Sequence, residues 1–416
     1  MNPTLILDLG GGCLKIGFST DRKPRIVDNC IFKSKTLSGR TFVANEIEEC
    51  NNLSSLYCIM PFKKGYLNSW DIQTQILDTA FKKVFKERGY QISDSNLIVT
   101  EPYFNFASTK ETMNEIFFEE YQFAGLMRSN PALLAAYKYQ AESVQRLSRY
   151  CMVIDSGYSF THLLPMGDGR IMSDFVLRLS IGGKILTNRL VEIVSYRHLD
   201  VRSEVYIMNQ CKEDVCYVST DFWTDLSTAK SNPNKNPILR EYVLPDYAEV
   251  HRGYVRDPNA DGGTSQSTSS GTTGFKRPTQ QGYVLRLSNE RFTVPELLFH
   301  PGDVGYREMG LTEAIGYLMC ERLPPAVRPG AWANCLVIGG NARFPGFLER
   351  LKSDLRCLPA DDLAVNVFSP TNPQTYAWEG GSLLAERKDD MAQFLVTRAE
   401  YEEHGSSYCE RRFPVT

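Results

Sequence analysis

The sequence predicts an α/β fold of two similar halves facing each other across a cleft, and three stretches predict it. Thr4-Leu-Ile-Leu-Asp-Leu-Gly-Gly-Gly-Cys-Leu-Lys-Ile-Gly-Phe18 and Cys151-Met-Val-Ile-Asp-Ser-Gly-Tyr-Ser-Phe-Thr-His162 share one pattern. Each is an apolar strand ending in an aspartate, a glycine-bearing turn and a second apolar strand, which reads as a β-hairpin. The third, Leu336-Val-Ile-Gly-Gly-Asn-Ala-Arg-Phe-Pro345, is a buried strand running into a Gly-Gly turn and a helix. Backbone there can lie against a nucleotide. Two facing hairpins can clamp a polyphosphate, because successive N–H groups of a tight turn make an anion nest that glycine lets come close.

In chain order, Gly10, Gly11, Gly12 and Cys13 supply the first turn, and Lys15 can place an ammonium at the outer phosphates. A polar turn, Asp21 to Ile26, leads to a short segment from Asn29 to Leu56. Asn68 to Phe85 reads as an amphipathic helix with Ile72, Ile76, Leu77, Phe81, Val84 and Phe85 on one face and Asn68 as its N-cap. Asn96 to Thr100 is a buried strand ended by Glu101-Pro102, and strands alternating with helices up to Arg149 argue a mostly parallel sheet. The second turn is Gly157, Tyr158, Ser159 and Phe160. Asp8 and Asp155 then stand where Mg²⁺ needs only one or two carboxylates, reached through its own waters.

Gly182-Gly183 opens a helix with Leu186, Leu190, Ile193 and Val194 on one face, and Lys212 and Glu213 close a later one. From 257 to 274 the chain is Gly/Ser/Thr-rich with almost no apolar residue, which predicts a mobile loop. A passive spacer and a partner-binding element both remain open for it, the second because Tyr254, Phe275, Lys276 and Arg277 flank it. Gly310 to Met319 and Arg343 to Leu355 read as helices, the latter burying Phe347, Leu348, Leu351 and Leu355.

The bulk numbers exclude other classes. The chain has 416 residues, net charge −3, 23% charged and 42% hydrophobic residues. No field of one sign attracts nucleic acid or membrane, no basic run of five or more exists, and no apolar run approaches the roughly 20 residues of a span. Eleven cysteines without CxxC pairs and five scattered histidines argue against a disulfide framework or zinc site and for a reducing compartment.

The chain resembles the actin family, within the superfamily of actin, Hsp70-type chaperones and sugar kinases. The likeness covers almost the whole chain. Beyond the three stretches it includes Lys212-Glu213 with Val215-Cys-Tyr-Val218, Glu290 to Phe299, Trp378-Glu-Gly-Gly-Ser-Leu-Leu-Ala385 and the closing Glu400-Tyr-Glu-Glu and Arg411-Arg-Phe413. The resemblance implies an actin-like fold, with residues 1–150 as a first half whose small subdomain (30–65) is shortened. Residues 151–372 would form a second half with an insertion at about 247–282, and 373–416 would return to the first. It implies ATP or ADP with Mg²⁺ as cofactor. Asp8, Gly10, Gly11, Gly12, Cys13, Lys15, Asp155, Gly157, Tyr158, Ser159, Gly183, Lys212, Glu213, Gly339, Gly340 and Phe344 would hold it, with Lys212 and Glu213 at adenine and ribose.

Against the family pattern, the water-orienting glutamine falls on Pro131, a polar residue of the first turn is Gly11, an acidic residue near the ribose is Tyr158, and a lysine near the adenine is Gln374. His162 is retained. These departures predict little or no hydrolysis and no catalytic residue. The filament-contact loop is not recognisable either, which argues against a polymerising ATPase. A small-molecule kinase lacks a separate carboxylate base. On Ala124 to Tyr137 and the loop pattern, the likeness is strongest to a nuclear branch of the family. That branch implies a subunit of Swr/SRCAP-type chromatin remodellers that supports exchange of a histone dimer for a Z-type variant. Its implied partners are a separate Snf2-type ATPase, companions including a zinc-finger protein, and the nucleosome, with no membrane contact and no homopolymer.

Overall fold

The computed structural model describes residues 2–34, 41–49, 56–142, 149–230, 236–245, 250–257 and 283–413. Each half is built on a sheet with the same plan. In the first, Thr4–Leu9 pairs antiparallel with Cys13–Phe18 and parallel with Asn96–Thr100. Gly125–Ser129 extends it in parallel, and Arg25–Asp28 and Val396–Thr397 form its edges. In the second, Tyr150–Ser156 pairs antiparallel with Thr161–Gly167 and parallel with Cys335–Ile338, and Val367–Phe368 extends it. The parallel strands are largely apolar because helices cover both faces, and most of their polar residues lie towards the C-terminal ends.

Helix Trp70–Arg88 packs Ile76, Leu77, Phe81, Val84 and Phe85 into the first core, with Ile72 half-buried. Its N-cap is Ser69, not Asn68. The hairpin of Phe62–Lys63 and Tyr66–Leu67 carries the chain one residue further, and the N–H groups of both Asn68 and Ser69 donate to Pro61 O. Helix Gly183–Arg197 buries Leu186, Leu190 and Val194 in the second core. The helix expected from Gly310 runs as Leu311–Gly316 and widens into a π turn to Arg322. The one expected from Arg343 starts only at Phe347, because Gly346 takes a left-handed φ of 81° after Pro345 and breaks it from the turn before. Leu348 is accordingly half-buried while Phe347, Leu351 and Leu355 are buried.

The small subdomain carries a three-stranded sheet of Ile31–Ser34, Phe42–Val43 and Leu56–Ile59. The segment from Asn29 to Leu56, in which no filament-contact loop is recognisable, lies partly outside the described residues. A third sheet joins Tyr254–Arg256, Arg240–Val243 and Val284–Leu287. Tyr254, which flanks the polar stretch, lies in a paired strand, while the polar stretch beyond Asp257 lies outside the described residues. Glu241 stands opposite Arg256 and Arg286 and takes a bond from each Nε, at 2.9 and 3.0 Å.

The C-terminal segment lies on the first half. Trp378 Nε1 donates to Ile6 O at 3.2 Å and Ser382 to Ser19 O at 2.8 Å. Helix Tyr376–Glu386 crosses helix Pro131–Ala141 so closely that a Cβ on Gly380 would fall 2.0 Å from Leu134 O, so glycine is required there. Buried Arg128 bonds Glu101 at 3.0 Å and Glu410, with the Phe413 ring 5.0 Å away. The described cysteines are free thiols, and no helix among the described residues is long and apolar enough to cross a membrane.

Candidate nucleotide site

In the first hairpin Asp8 and Lys15 are opposite across the ladder, so their side chains share a face, with Nζ 3.0 Å from Oδ2. Thr100, on the neighbouring strand, donates to Asp8 Oδ1 at 2.7 Å and accepts from Leu9 N at 2.9 Å. Burial opposes the Lys15 charge, but Asp8 together with Cys13 and Asp155 outweighs it and the ammonium is held more firmly protonated than a free lysine. The glycine turn is tied from below by fully buried Asn29, whose Nδ2 donates to Gly10 O at 2.9 Å and whose N–H donates to Gly12 O at 3.1 Å. Burial also pushes the Cys13 thiol up, and Gln374 Nε2 lies 3.2 Å from its sulfur while Gln374 Oε1 accepts from Arg343 at 2.8 Å.

The second hairpin repeats the geometry with a different finish. Asp155 is opposite His162, where Lys15 stands opposite Asp8. Burial, then the negative charge of Asp8, push Asp155 up to about 6, against the pull of Lys15. His162 is lowered to about 4 by burial and by Arg178, which faces it on strand Leu177–Leu179. It is a neutral imidazole whose buried Nε2 has no hydrogen-bond partner. Asn341 secures the turn, donating to Gly157 O at 2.8 Å and Ser156 Oγ at 3.1 Å. Gly339 precedes it at φ 97°, where a Cβ would sit 2.2 Å from Ser156 O.

The two turns meet. A Cβ on Gly11 would lie 2.6 Å from Ser159 Oγ, and one on Gly12 would lie 2.9 Å from the Tyr158 ring. Gly183 is beside them, 3.5 Å from Tyr158 Cα by the same measure, while Gly340 is open. Lys212 turns inward. Burial lowers it to about 8, and Nζ donates to Gly183 O, Thr187 Oγ1 and Asn209 Oδ1 at 3.1, 3.0 and 2.9 Å. Glu213 is exposed and accepts from Asn209 at 2.8 Å. Phe344 packs with the second-half core. Pro131 is the first residue of its helix, where a missing N–H costs nothing, and Asn130 caps it by accepting from Ala132 N at 2.9 Å.

The residues present fit a nucleotide with a hydrated divalent cation. The facing glycine turns, the Lys15 ammonium, the mutually repelling Asp8 and Asp155 and the orphaned His162 nitrogen all face one small region. Among the described residues no three His, Cys, Asp or Glu side chains cluster to hold a metal directly, so a cation here would need water and phosphate oxygens. Sequence reasoning missed Thr100, Asn29 and the structural role of Asn341. Asn341 follows the Gly-Gly pair and was within reach, whereas Thr100 and Asn29 carry no local signal.

Comparison with known proteins agrees over the full length. Residues 1–414 match the family model described as Actin. Actin-related protein 6 of Drosophila melanogaster is 40% identical over 407 residues, covering 97% of this chain and 98% of that one. The actin-like protein ARP6 of Cryptococcus neoformans var. neoformans is 37% identical, over 99% of this chain and 84% of its own. Actin-related protein 6 of Oryza sativa subsp. indica is 34% identical, with 98% of both chains covered.

Proposed function

The chain belongs to the actin family, and from that premise we propose that it is a non-filamentous actin-related subunit of a Swr/SRCAP-type chromatin remodeller. In this reading it works in the nucleus, passing through the cytoplasm before assembly, and supports exchange of a core histone dimer for a Z-type variant. ATP or ADP with Mg²⁺ binds as a structural group with little or no hydrolysis, and a separate Snf2-type ATPase is the motor. Companion subunits include a zinc-finger protein, and nucleosome contact runs through the complex.

The observation that carries the reading is a complete pair of phosphate hairpins in a chain whose helix at 131 begins with proline. Asp8, Lys15 and Asp155 are retained in geometry that suits a polyphosphate, while the helix start that carries the family's water-orienting glutamine carries proline. Proline offers a water neither donor nor acceptor. A nucleotide that is held but not turned over acts on stability, since a ligand bound only to the folded state stabilises it by mass action. The names of the relatives support the branch. The test is affinity purification of the tagged chain from nuclear extract, with mass spectrometry of the eluate. Stoichiometric recovery of a Snf2-type ATPase and companions is expected. Recovery of the chain alone or of its own polymer, or phosphate release at about one per second or faster, would overturn the proposal.

A further inference from the structure

Side chains of the second half cross the cleft at three levels and engage the first. At the inner level, the Tyr158 ring lies against Gly12, and its hydroxyl reaches Met60 Sδ at 3.7 Å. In the middle, the Phe160 ring lies on the backbone of Gly65, where a Cβ would fall 2.1 Å from the ring and where φ is 77°. Arg178 covers this contact from outside. Its guanidinium carbon is 4.9 Å from the Phe160 ring, 5.7 Å from Tyr66 and 5.9 Å from Phe104, and it donates to the Tyr66 hydroxyl. At the outer level, Tyr206 donates to Asp28 at 2.8 Å and sets its ring edge-on to Phe32 at 5.0 Å, within the small subdomain's apolar cluster.

We infer that these side chains form an aromatic clasp that holds the cleft shut over a bound nucleotide and makes its release slow. The inference rests on the nucleotide-binding reading above. Its argument is geometric. Tyr158, Phe160, Arg178 and Tyr206 all belong to the second half, and Gly12, Met60, Gly65, Tyr66, Phe104, Asp28 and Phe32 to the first. Any opening that separates the halves must break the three levels together. Gly65 is the enabling residue, because a side chain there would occupy the space of the Phe160 ring. Tyr158 adds specificity, since its ring stands between the first turn and Lys212, whose Nζ is 5.9 Å from the ring centroid.

The test uses the full chain loaded with a fluorescent adenine-nucleotide analogue and Mg²⁺, then chased with excess unlabelled ATP. Arg178→Ala and Tyr206→Ala are the variants to use, because neither residue belongs to the phosphate hairpins. Each is expected to speed release by about five- to thirtyfold, the scale of a lost cation–π or aromatic contact. Thermal unfolding is measured alongside, since a merely structural role would lower the midpoint and leave release unchanged. Bound nucleotide that both variants release at the unmodified chain's rate would overturn the clasp and leave the nucleotide reading intact. Uptake only by the variants would support the clasp and show that it shuts nucleotide out of the unmodified chain. No uptake by any form at millimolar nucleotide would overturn both.

Discussion

The two phosphate hairpins share a backbone plan and differ in how their aspartates are satisfied. Asp8 is saturated, with Lys15 opposite and Thr100 beside it. Asp155 faces a neutral histidine and the charge of Asp8, and is pushed up to about 6. The turns differ in the same sense. Gly10 to Gly12 carry no side chains and are tied down by Asn29, whereas Tyr158, Ser159 and Phe160 reach across to the other half. The first hairpin is a preformed floor. The second is incomplete by itself and gains its partners from whatever lies in or across the cleft.

The largest effect should come from breaking the saturated side. Asp8→Ala would strand a buried ammonium, and removing one partner of such a pair costs about 3–5 kcal/mol. The urea unfolding midpoint at pH 7.5 should fall accordingly, and an unchanged midpoint would mean that the Asp8–Lys15 pair contributes nothing. Asp155→Asn should do the opposite in nucleotide-free protein. The folded state binds a proton at Asp155 more tightly than the unfolded chain does. The ionised group therefore costs stability fully above about pH 6, and the cost fades as pH falls towards 3.8. The variant should be more stable by about 1–3 kcal/mol at pH 7.5 and equal near pH 4. The same variant should bind nucleotide with a weaker dependence on Mg²⁺.

His162 should give the reverse slope. Its folded value of about 4 lies below the usual 6.5, so the neutral ring contributes stability that is lost as pH falls between those two values. His162→Gln should flatten that loss by up to about 3 kcal/mol, read from unfolding midpoints at pH 7 and pH 4.5. A variant with the parent's pH profile would show that the imidazole protonates freely in the folded chain.

A smaller, sharper contrast lies where the turns touch. Gly11→Ser alone places new atoms against Ser159 Oγ and should weaken nucleotide binding by about 1–2 kcal/mol. Ser159→Gly alone removes a hydroxyl, and the double variant Gly11→Ser with Ser159→Gly should recover most of the loss by moving the hydroxyl to the opposite turn. Additive losses in that double-mutant cycle would show that the two positions do not compete for one space.

How much of this was legible follows from which contacts are local. The hairpins, the aspartates and the Gly-Gly turn are written within about fifteen residues of chain each, so strand periodicity and turn chemistry disclose them. The satisfaction of Asp8 was not legible, because Thr100 sits 92 residues away and becomes a partner only when the parallel strand is laid alongside. Tyr158 and Tyr206 find Met60 and Asp28 across 98 and 178 residues, contacts fixed by how the halves close and not by any pattern in the chain. Lys212, which the resemblance places at the adenine, has its ammonium bonded at the start of helix Gly183–Arg197, a pairing no sequence pattern announces, because a buried charge takes the nearest carbonyl and hydroxyl acceptors.

The smallest structural change asks whether a side-chain donor at position 131 raises hydrolysis. Pro131→Gln at the first helical position should shift stability by no more than about 0.5 kcal/mol, because that N–H is unpaired in any helix and the Asn130 cap is untouched. His162 Nε2 is already buried and unpartnered. A glutamine amide would supply the group able to orient a water beside it. Single-turnover phosphate release measured with bound ATP should rise about tenfold or more, since positioned proton-transfer groups contribute on the order of a hundredfold and orientation is part of that. A release rate equal to the parent's would move the block from Pro131 to the side chains that close the cleft, and the same measurement in Pro131→Gln combined with Arg178→Ala would decide it.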